Sequence, residues 1–190
     1  MSAALIAHIS RYVPLSEEDA LAIGKRTSTT TVEKKEYLLK EGQVCRYSYF
    51  VEKGCLRMFF ITDKGTEQIT QFALEGWWMA DNMSLLQQAP SGFCIQAIEP
   101  AEVVYIDQAQ QERLIKEVPQ TERYFRIMMQ YAFAAAQQRV RFFHDLSKEE
   151  SYRHFADRFP GFVQRIPQYM LASYLGITPE YLSEIRKKIR

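Results

Sequence analysis

The chain has 190 residues, of which 47% are hydrophobic and 25% charged, and its formal net charge is +1. A chain of this length forms one large domain or two small ones, and either can bury a core. No apolar run reaches the roughly 20 residues that span a bilayer, and a charge near zero excludes a general polycation, so any affinity for nucleic acid has to come from a local basic patch.

The amino terminus and the cysteines predict a cytoplasmic protein. The opening stretch MSAALIAHISRY has no basic segment leading into a long apolar core, so we expect no signal peptide. Cys45, Cys55 and Cys94 are odd in number and scattered along the chain. They therefore favour reduced thiols over a disulfide framework or a zinc site.

The first half of the chain predicts one helix followed by strands. Residues 15–26 place Ser16 ahead of three acids, which is typical of a helix start. From about Thr29 onward, short segments rich in β-branched and aromatic residues each close on a glycine, at Gly42, Gly54, Gly65 and Gly76. Turn signals at this spacing predict an antiparallel sandwich or barrel, with TDKGTEQ as a tight hairpin and the last strands within CIQAIEPAEVVYID.

The chain becomes helical after Asp107. A short helix stops before Pro119, and residues 120–146 then contain no proline or glycine, which predicts a helix about 40 Å long. Such a helix either packs on its own barrel or pairs with a second copy, and the alanines along its stripe favour dimerisation. The predicted interface residues are Phe125, Met128, Ala132, Ala135 and Phe142. A further helix begins at Ser147 and is predicted to end at the FPG break, residues 159–161.

The last 25 residues, IPQYMLASYLGITPEYLSEIRKKIR, have the spacing of a helix-turn-helix that begins at Gln168. Ala172 fits the close helix–helix contact and Gly176 fits the turn, because that corner requires a residue that tolerates positive φ. Thr178 can cap the second helix, with Pro179 in its first turn. The alternative is a plain helical hairpin with a solvated basic end.

As a helix-turn-helix, this segment would read bases from the exposed start of its second helix and hold phosphates with its basic end. The predicted DNA-binding residues are Gln168, Thr178, Glu180, Tyr181, Ser183, Glu184, Arg186, Lys187, Lys188 and Arg190.

The barrel, long helix and helix-turn-helix, in this order, resemble the cyclic-AMP receptor/Fnr-type (Crp/Fnr) transcription regulators over nearly the whole chain. The stretch IPQYMLASYLGITPEYLSEIRKKI is the most specific part of this resemblance and resembles Bacteroidetes-like members. The resemblance implies an α+β fold with an antiparallel β-roll (jelly roll) at residues 1–118, a dimerisation helix at 119–147 and a DNA-binding domain at 148–190. It also implies a homodimer that binds a palindromic promoter site in duplex DNA and can contact RNA polymerase.

The resemblance places the nucleotide-binding cassette at residues 77–99, where this chain departs from it. Ala80 and Asp81 stand where nucleotide-binding members have Gly-Glu, and Ser91 and Gly92 stand at their Arg-Ser pair. No lysine or arginine lies between Lys64 and Arg113. An unpaired phosphate is costly to bury, so we expect no binding of cyclic AMP.

Another effector could still occupy the β-roll, in an apolar pocket with Asp81 as a polar anchor, although the same aromatic residues could simply fill the barrel. The candidate effector residues are Trp78, Ala80, Asp81, Met83, Ser91, Gly92, Ala136 and Gln137, beside Trp77 and Met79. We predict no cofactor, since no cysteine cluster precedes Cys45 and the three histidines are isolated.

The second helix also departs from the family, which often has arginine at the positions of Pro179 and Glu184. The sequence ends directly after this helix, so we expect the C-terminal wing of some relatives to be absent. These departures leave open a small-molecule-binding or protein-interaction module with a degenerate DNA-binding domain. A cupin-like enzyme is excluded, because no histidine lies between His8 and His144 to hold a metal in the barrel.

Overall fold

The computed structural model describes residues 1–189, apart from the side chains of residues 143 and 189. The elements are α1 (Ala3–Ser10), α2 (Glu17–Arg26), β1 (Ser28–Val32), β2 (Tyr37–Leu39), β3 (Tyr47–Lys53), β4 (Leu56–Ile61), β5 (Glu67–Ala73), β6 (Trp78–Met79), α3 (Asn82–Gln87), β7 (Cys94–Ala97), β8 (Ala101–Asp107), α4 (Gln108–Glu117), α5 (Gln120–Asp145), α6 (Lys148–Arg158), α7 (Pro160–Arg165), α8 (Gln168–Leu175) and α9 (Pro179–Ile189).

The chain forms two compact units, and neither is continuous in sequence. The first unit comprises residues 1–60 and 71–130, and the second comprises residues 61–70 together with the chain from residue 131 onward. The predicted boundaries at 118 and 147 are sequential, whereas here the β4–β5 turn groups with the C-terminal helices and α5 is divided between the units.

Two antiparallel sheets build the β-roll that the sequence predicted. Their strand orders are β1-β8-β3-β6 and β2-β7-β4-β5. Val51 of β3 lies opposite Val103 of β8 in one sheet, and Leu56 of β4 lies opposite Ala97 of β7 in the other. Val51, Val103 and Leu56 are fully buried in one cluster that draws on both sheets. The core of the roll therefore lies between the sheets.

Positive φ angles explain the regular glycines. Gly42, Gly54, Gly65 and Gly76 have φ between 75° and 94°, a region that residues with a Cβ rarely adopt. Gly54 is also confined by its neighbours, because a Cβ there would stand 2.7 Å from the Cα atom of Ala101 and from the carbonyl oxygen of Pro100. The β3–β4 turn thus requires glycine on both counts.

Helices cover the outer face of the β1-β8-β3-β6 sheet. A second buried cluster joins Leu5 and Ile9 of α1 to Phe50 and Val104 of the sheet and to Tyr124 of α5. The sequence did not predict α1, which begins where the Ser2 hydroxyl accepts a hydrogen bond from the Leu5 N–H at 2.9 Å. The start of α5 is therefore part of the core of the first unit.

The helices of the second unit follow their local sequence signals. Ser147 and Glu150 form a capping box at the start of α6, each side chain bonding the other residue's N–H. The predicted break ends α6 at Arg158, but helix resumes at once, because Pro160 takes the first position of α7, where its missing N–H costs nothing.

Candidate functional site

The last two helices and the turn between them lie where the sequence predicted them. Gly176 ends α8 with φ 67° and ψ 40°, in the left-handed region that the turn requires. Ala172 and Leu182 are both fully buried, and α8 and α9 contact each other. The Thr178 hydroxyl accepts a hydrogen bond from the Tyr181 N–H at 3.2 Å, so the predicted cap is present.

Four of the predicted DNA-binding residues surround one surface cleft. Gln168 of α8 and Ser183, Arg186 and Lys187 of α9 line a cleft of about 170 Å³. Arg186 and Ser183 are partly buried, and Lys187 is exposed. The cleft thus combines two cations with a hydroxyl and an amide, a set that suits a phosphate group.

The remaining predicted DNA-binding residues have different surroundings. Glu180, Tyr181 and Glu184 are exposed along α9. The Lys188 ammonium lies 2.9 Å from the Glu149 carboxylate of α6, and this contact raises the pKa of Lys188. Lys188 therefore joins α9 to α6 as well as adding charge. Arg190 lies outside the described residues.

Ser173, which the sequence analysis did not single out, joins α8 to the start of β5. Its hydroxyl accepts a hydrogen bond from the Ile69 N–H at 3.0 Å and donates one to the Glu67 carbonyl at 2.8 Å. The Gln68 side-chain amide donates to the carbonyl oxygen of Ser173 itself. These three bonds fix the first of the two C-terminal helices against residues more than 100 positions earlier in the chain.

Arg139 of α5 completes this contact. Its guanidinium donates to the carbonyl oxygens of Ile69 and Tyr174, each at 3.3 Å, and lies 4.2 Å from the centre of the Tyr174 ring. Burial lowers the pKa of Arg139. In the sequence this residue only interrupts an apolar stripe; a lone arginine in such a stripe is a signal of a buried polar contact.

The face of α5 that the sequence assigned to dimerisation is buried against the first unit at its start and mostly exposed further along the helix. Phe125 and Met128 pack against the core of the first unit, so they are already covered within the chain. Ala132 and Ala135 are exposed, and Phe142 is partly buried. Beside these alanines stand large apolar residues that the sequence analysis missed, with exposed fractions between 52% and 66%: Met129, Tyr131, Phe133 and Val140.

Asp81 has a structural role at the position of the nucleotide cassette. One of its carboxylate oxygens accepts from the N–H groups of Met83 and Ser84, which caps α3, and the other accepts from the Ser91 hydroxyl at 2.6 Å. Asp81 and Ser91 are both buried. The two residues at the cassette positions therefore bind each other, and both carboxylate oxygens are occupied.

The aromatic and methionine side chains near Asp81 do not share one cavity. Trp78 donates its indole N–H to the Tyr124 hydroxyl at 2.8 Å, and the same hydroxyl lies 2.9 Å from His8 Nδ1. Met79 is buried in the roll, whereas Met83 is 62% exposed. Ala80 is partly buried, Gly92 is exposed, and Ala136 and Gln137 are exposed residues of α5 in the second unit.

A cavity of about 370 Å³ opens elsewhere in the first unit, beside β2 and β3. Its lining residues are Leu38, Leu39, Gln43, Val44, Arg46, Tyr47 and Tyr49. The sequence analysis missed this site, since its walls come from two strands of different sheets and only the fold brings them together.

Known proteins resemble both the first half of the chain and most of its length. Residues 29–118 match the cyclic nucleotide-binding domain. The chain is 26% identical to the anaerobic regulatory protein of Haemophilus influenzae over 167 residues, which cover 81% of this chain and 63% of that protein. The fumarate and nitrate reduction regulatory protein of Vibrio cholerae is also 26% identical, covering 81% of this chain and 65% of its own length. The first half of the chain is thus similar to a cyclic nucleotide-binding domain, and most of its length is similar to two regulatory proteins.

Solved structures share the fold of this chain. FixK2 from Bradyrhizobium japonicum has a TM-score of 0.72 at 18% identity, covering 86% of this chain and 84% of its own. A transcriptional regulator of the Crp/Fnr family from Eubacterium rectale has a TM-score of 0.71 at 16% identity, covering 94% and 87%. The chain spans slightly less than two thirds of the length of the two curated relatives.

Two searches over the described residues complete the picture. No helix within residues 1–189 combines the length and apolar character needed to cross a membrane. Among the same residues, no three histidine, cysteine or acidic side chains cluster as metal ligands would. The two curated relatives named above are both regulatory proteins.

Proposed function

We propose that the chain is a cytoplasmic, homodimeric transcription regulator of the Bacteroidetes-like Crp/Fnr type that binds duplex DNA through α9. The observation that carries this proposal is the cleft formed by Gln168, Ser183, Arg186 and Lys187. Its cations stand on a helix whose opposite face is anchored by the buried Leu182 and Ile185, so the exposed face is held rigidly. In this arrangement Arg186 and Lys187 contact phosphates, while Glu180, Tyr181 and Glu184 face base edges.

Dimerisation through α5 fits the exposed apolar residues between positions 129 and 140 of that helix. Met129, Tyr131, Phe133 and Val140 would leave a large apolar surface in water unless a second copy covered it. The exposed Ala132 and Ala135 would let two helices approach closely. A two-fold dimer would then place its α9 helices on half-sites one DNA turn apart in a palindromic promoter, with RNA polymerase as a further partner.

The sensor domain of this dimer would not bind cyclic AMP. The buried Asp81–Ser91 pair supports this, because the Asp81 carboxylate and its hydrogen-bond donors fill the cassette positions. A cyclic phosphate bound there would have no cation to pair with. Titration of the protein with cyclic AMP should give no heat at millimolar concentration; saturable binding would contradict this part of the proposal.

The decisive experiment selects duplexes from a random pool and then measures their binding by fluorescence anisotropy over a range of salt. Recovery of a palindromic consensus is expected. Arg186→Ala combined with Lys187→Ala removes two phosphate contacts per protomer, so the slope of log K against log salt should fall by about 3.6 for the dimer. The control Lys25→Ala with Lys116→Ala makes the same charge change at exposed positions of α2 and α4.

The two variants should separate local contacts from general charge. An equal fall in the slope for both would mean that only net charge matters, and an unchanged slope for the α9 variant would remove Arg186 and Lys187 from the interface. Absence of any enriched duplex would favour the alternative function, a ligand-binding or protein-interaction module whose exposed Glu184 repels phosphate.

A further inference from the structure

The 370 Å³ cavity beside β2 and β3 lies within the size range of small-molecule sites. Leu38, Leu39 and Val44 supply aliphatic surface, and Tyr47 and Tyr49 supply aromatic rings. The polar lining residues are Gln43 and Arg46. An apolar pocket with a few polar groups at its edge is the usual form of a ligand site in proteins.

The walls of the cavity are fixed by hydrogen bonds within the protein. The buried Tyr49 hydroxyl donates to the carbonyl oxygen of Leu38 at 3.1 Å, which joins β3 of one sheet to β2 of the other. Burial raises the pKa of Tyr49 far above its ordinary value, so the donor proton remains in place. The Tyr47 ring is held edge-on to the Tyr105 ring, with their centres 5.0 Å apart.

The rim is equally constrained. The Gly42 N–H donates to the Ser91 carbonyl and the Ser91 N–H donates to the Gln43 carbonyl, both at 2.8 Å. Val44 forms a β-bridge with Pro90. A ligand would therefore meet a site that is already formed, which avoids the free-energy cost of ordering loops on binding.

The electrostatics of the cavity select the charge of the ligand. Arg46 is exposed and has no hydrogen-bond or ion-pair partner among residues 1–189. No acidic side chain lines the cavity. The Gln43 side-chain oxygen already accepts from the Lys40 N–H at 3.0 Å, which leaves its amide NH₂ as a second donor. Both polar groups at the rim thus donate, and a planar carboxylate is the natural acceptor for a guanidinium.

We propose that this cavity binds a small aromatic carboxylate, with the ring against Tyr47 and the aliphatic residues and the carboxylate on Arg46 and Gln43. This site is separate from the residues that the sequence suggested for an effector, and the proposal stands whether or not the protein binds DNA. The volume accommodates a bicyclic aromatic acid.

The test is calorimetric titration of the full chain with 1-naphthoate and with its neutral analogue 1-naphthalenemethanol. The acid should bind about tenfold more tightly than the alcohol, because it gains a charge-assisted hydrogen bond. Arg46→Gln should reduce the acid to the affinity of the alcohol and leave the alcohol unchanged. The control Arg113→Gln, at an exposed position of α4, should retain the preference for the acid.

A second variant tests the location independently of charge. Val44→Phe narrows the cavity and should abolish binding of both compounds, with an unchanged circular dichroism spectrum as evidence of folding. Equal affinities for the acid and the alcohol in the unaltered chain would overturn the proposal. So would an unchanged preference in Arg46→Gln, tight binding by a folded Val44→Phe chain, or no binding of either compound at millimolar concentration.

Discussion

Replacement of Ser173 by alanine should loosen the start of β5, and the amide of Ile69 reports this change directly. The Ser173 hydroxyl is the acceptor for the Ile69 N–H, and Ile69 is 1% exposed, so water cannot easily take its place. A buried donor without a partner costs about 1–3 kcal/mol. Alanine returns at most about 0.5 kcal/mol through its higher helix propensity in α8. Subtracting this gain leaves a net loss of about 0.5–3 kcal/mol, and we take the middle of that range, about 1–2 kcal/mol.

Hydrogen exchange measured by NMR resolves this loss at the Ile69 amide. A loss of about 1–2 kcal/mol corresponds to a roughly 5- to 30-fold fall in protection. Ser183→Ala is the matched control, since it makes the same substitution in α9, where the structure gives the serine hydroxyl no hydrogen bond to another described residue. Equal protection of the Ile69 amide in Ser173→Ala and in the unaltered chain would refute the assigned contact.

Three further predictions concern the first unit. Gly54→Ala should lower the melting temperature severely, because its Cβ would stand 2.7 Å from backbone atoms. Gly42→Ala has a similar φ but open space around it, so this variant should lose only about 1 kcal/mol of stability. Similar losses for the two variants would contradict the steric argument. Burial, and secondarily Arg11, lowers the pKa of His8 below 6.5. The unfolded chain therefore binds the extra proton more readily, so the stabilising contribution of neutral His8 is complete above pH 6.5 and falls as the pH decreases toward the folded pKa. His8→Gln should therefore reduce the change in melting temperature between pH 7.5 and pH 5.5. An unchanged pH dependence would assign it to other groups. Asp81→Ala removes the cap of α3 and the acceptor for Ser91, so the free energy of unfolding by urea should fall by about 2 kcal/mol, against a negligible change for the exposed Asn82→Ala.

Local signals made the strands and the last two helices predictable from the sequence. Gly54 and Gly176 mark turns because the tolerance of positive φ is a property of glycine itself. The Thr178 cap acts on an N–H only three residues away. The spacing of small and apolar residues in the last helices identified Ala172 as a close contact, and it is fully buried. Features of this kind depend on neighbours in sequence, so they can be read before the fold is known.

The remaining features depend on partners far along the chain. Asp81 looked like a pocket anchor because its acceptor role toward Ser91 exists only once the loop after α3 has folded. Arg139 looked like an interruption because its partner carbonyl, that of Ile69, is 70 positions away. The cavity was not predicted for the same reason, since Leu39 and Tyr49 stand on different sheets. The six-residue α3 was missed because it is too short for a helical period.

The bond between Ser173 and Ile69 also bears on how the protein is made. β5 lies at the edge of its sheet, and the Ile69 N–H has no acceptor until Ser173 is present. A ribosome reaches Ser173 only 104 residues after Ile69, which takes about 5–20 s at typical rates of synthesis. During that interval the nascent β-roll presents an unpaired strand edge, the kind of surface on which chains aggregate. The start of β5 therefore stays incompletely bonded until the C-terminal helices have been synthesised.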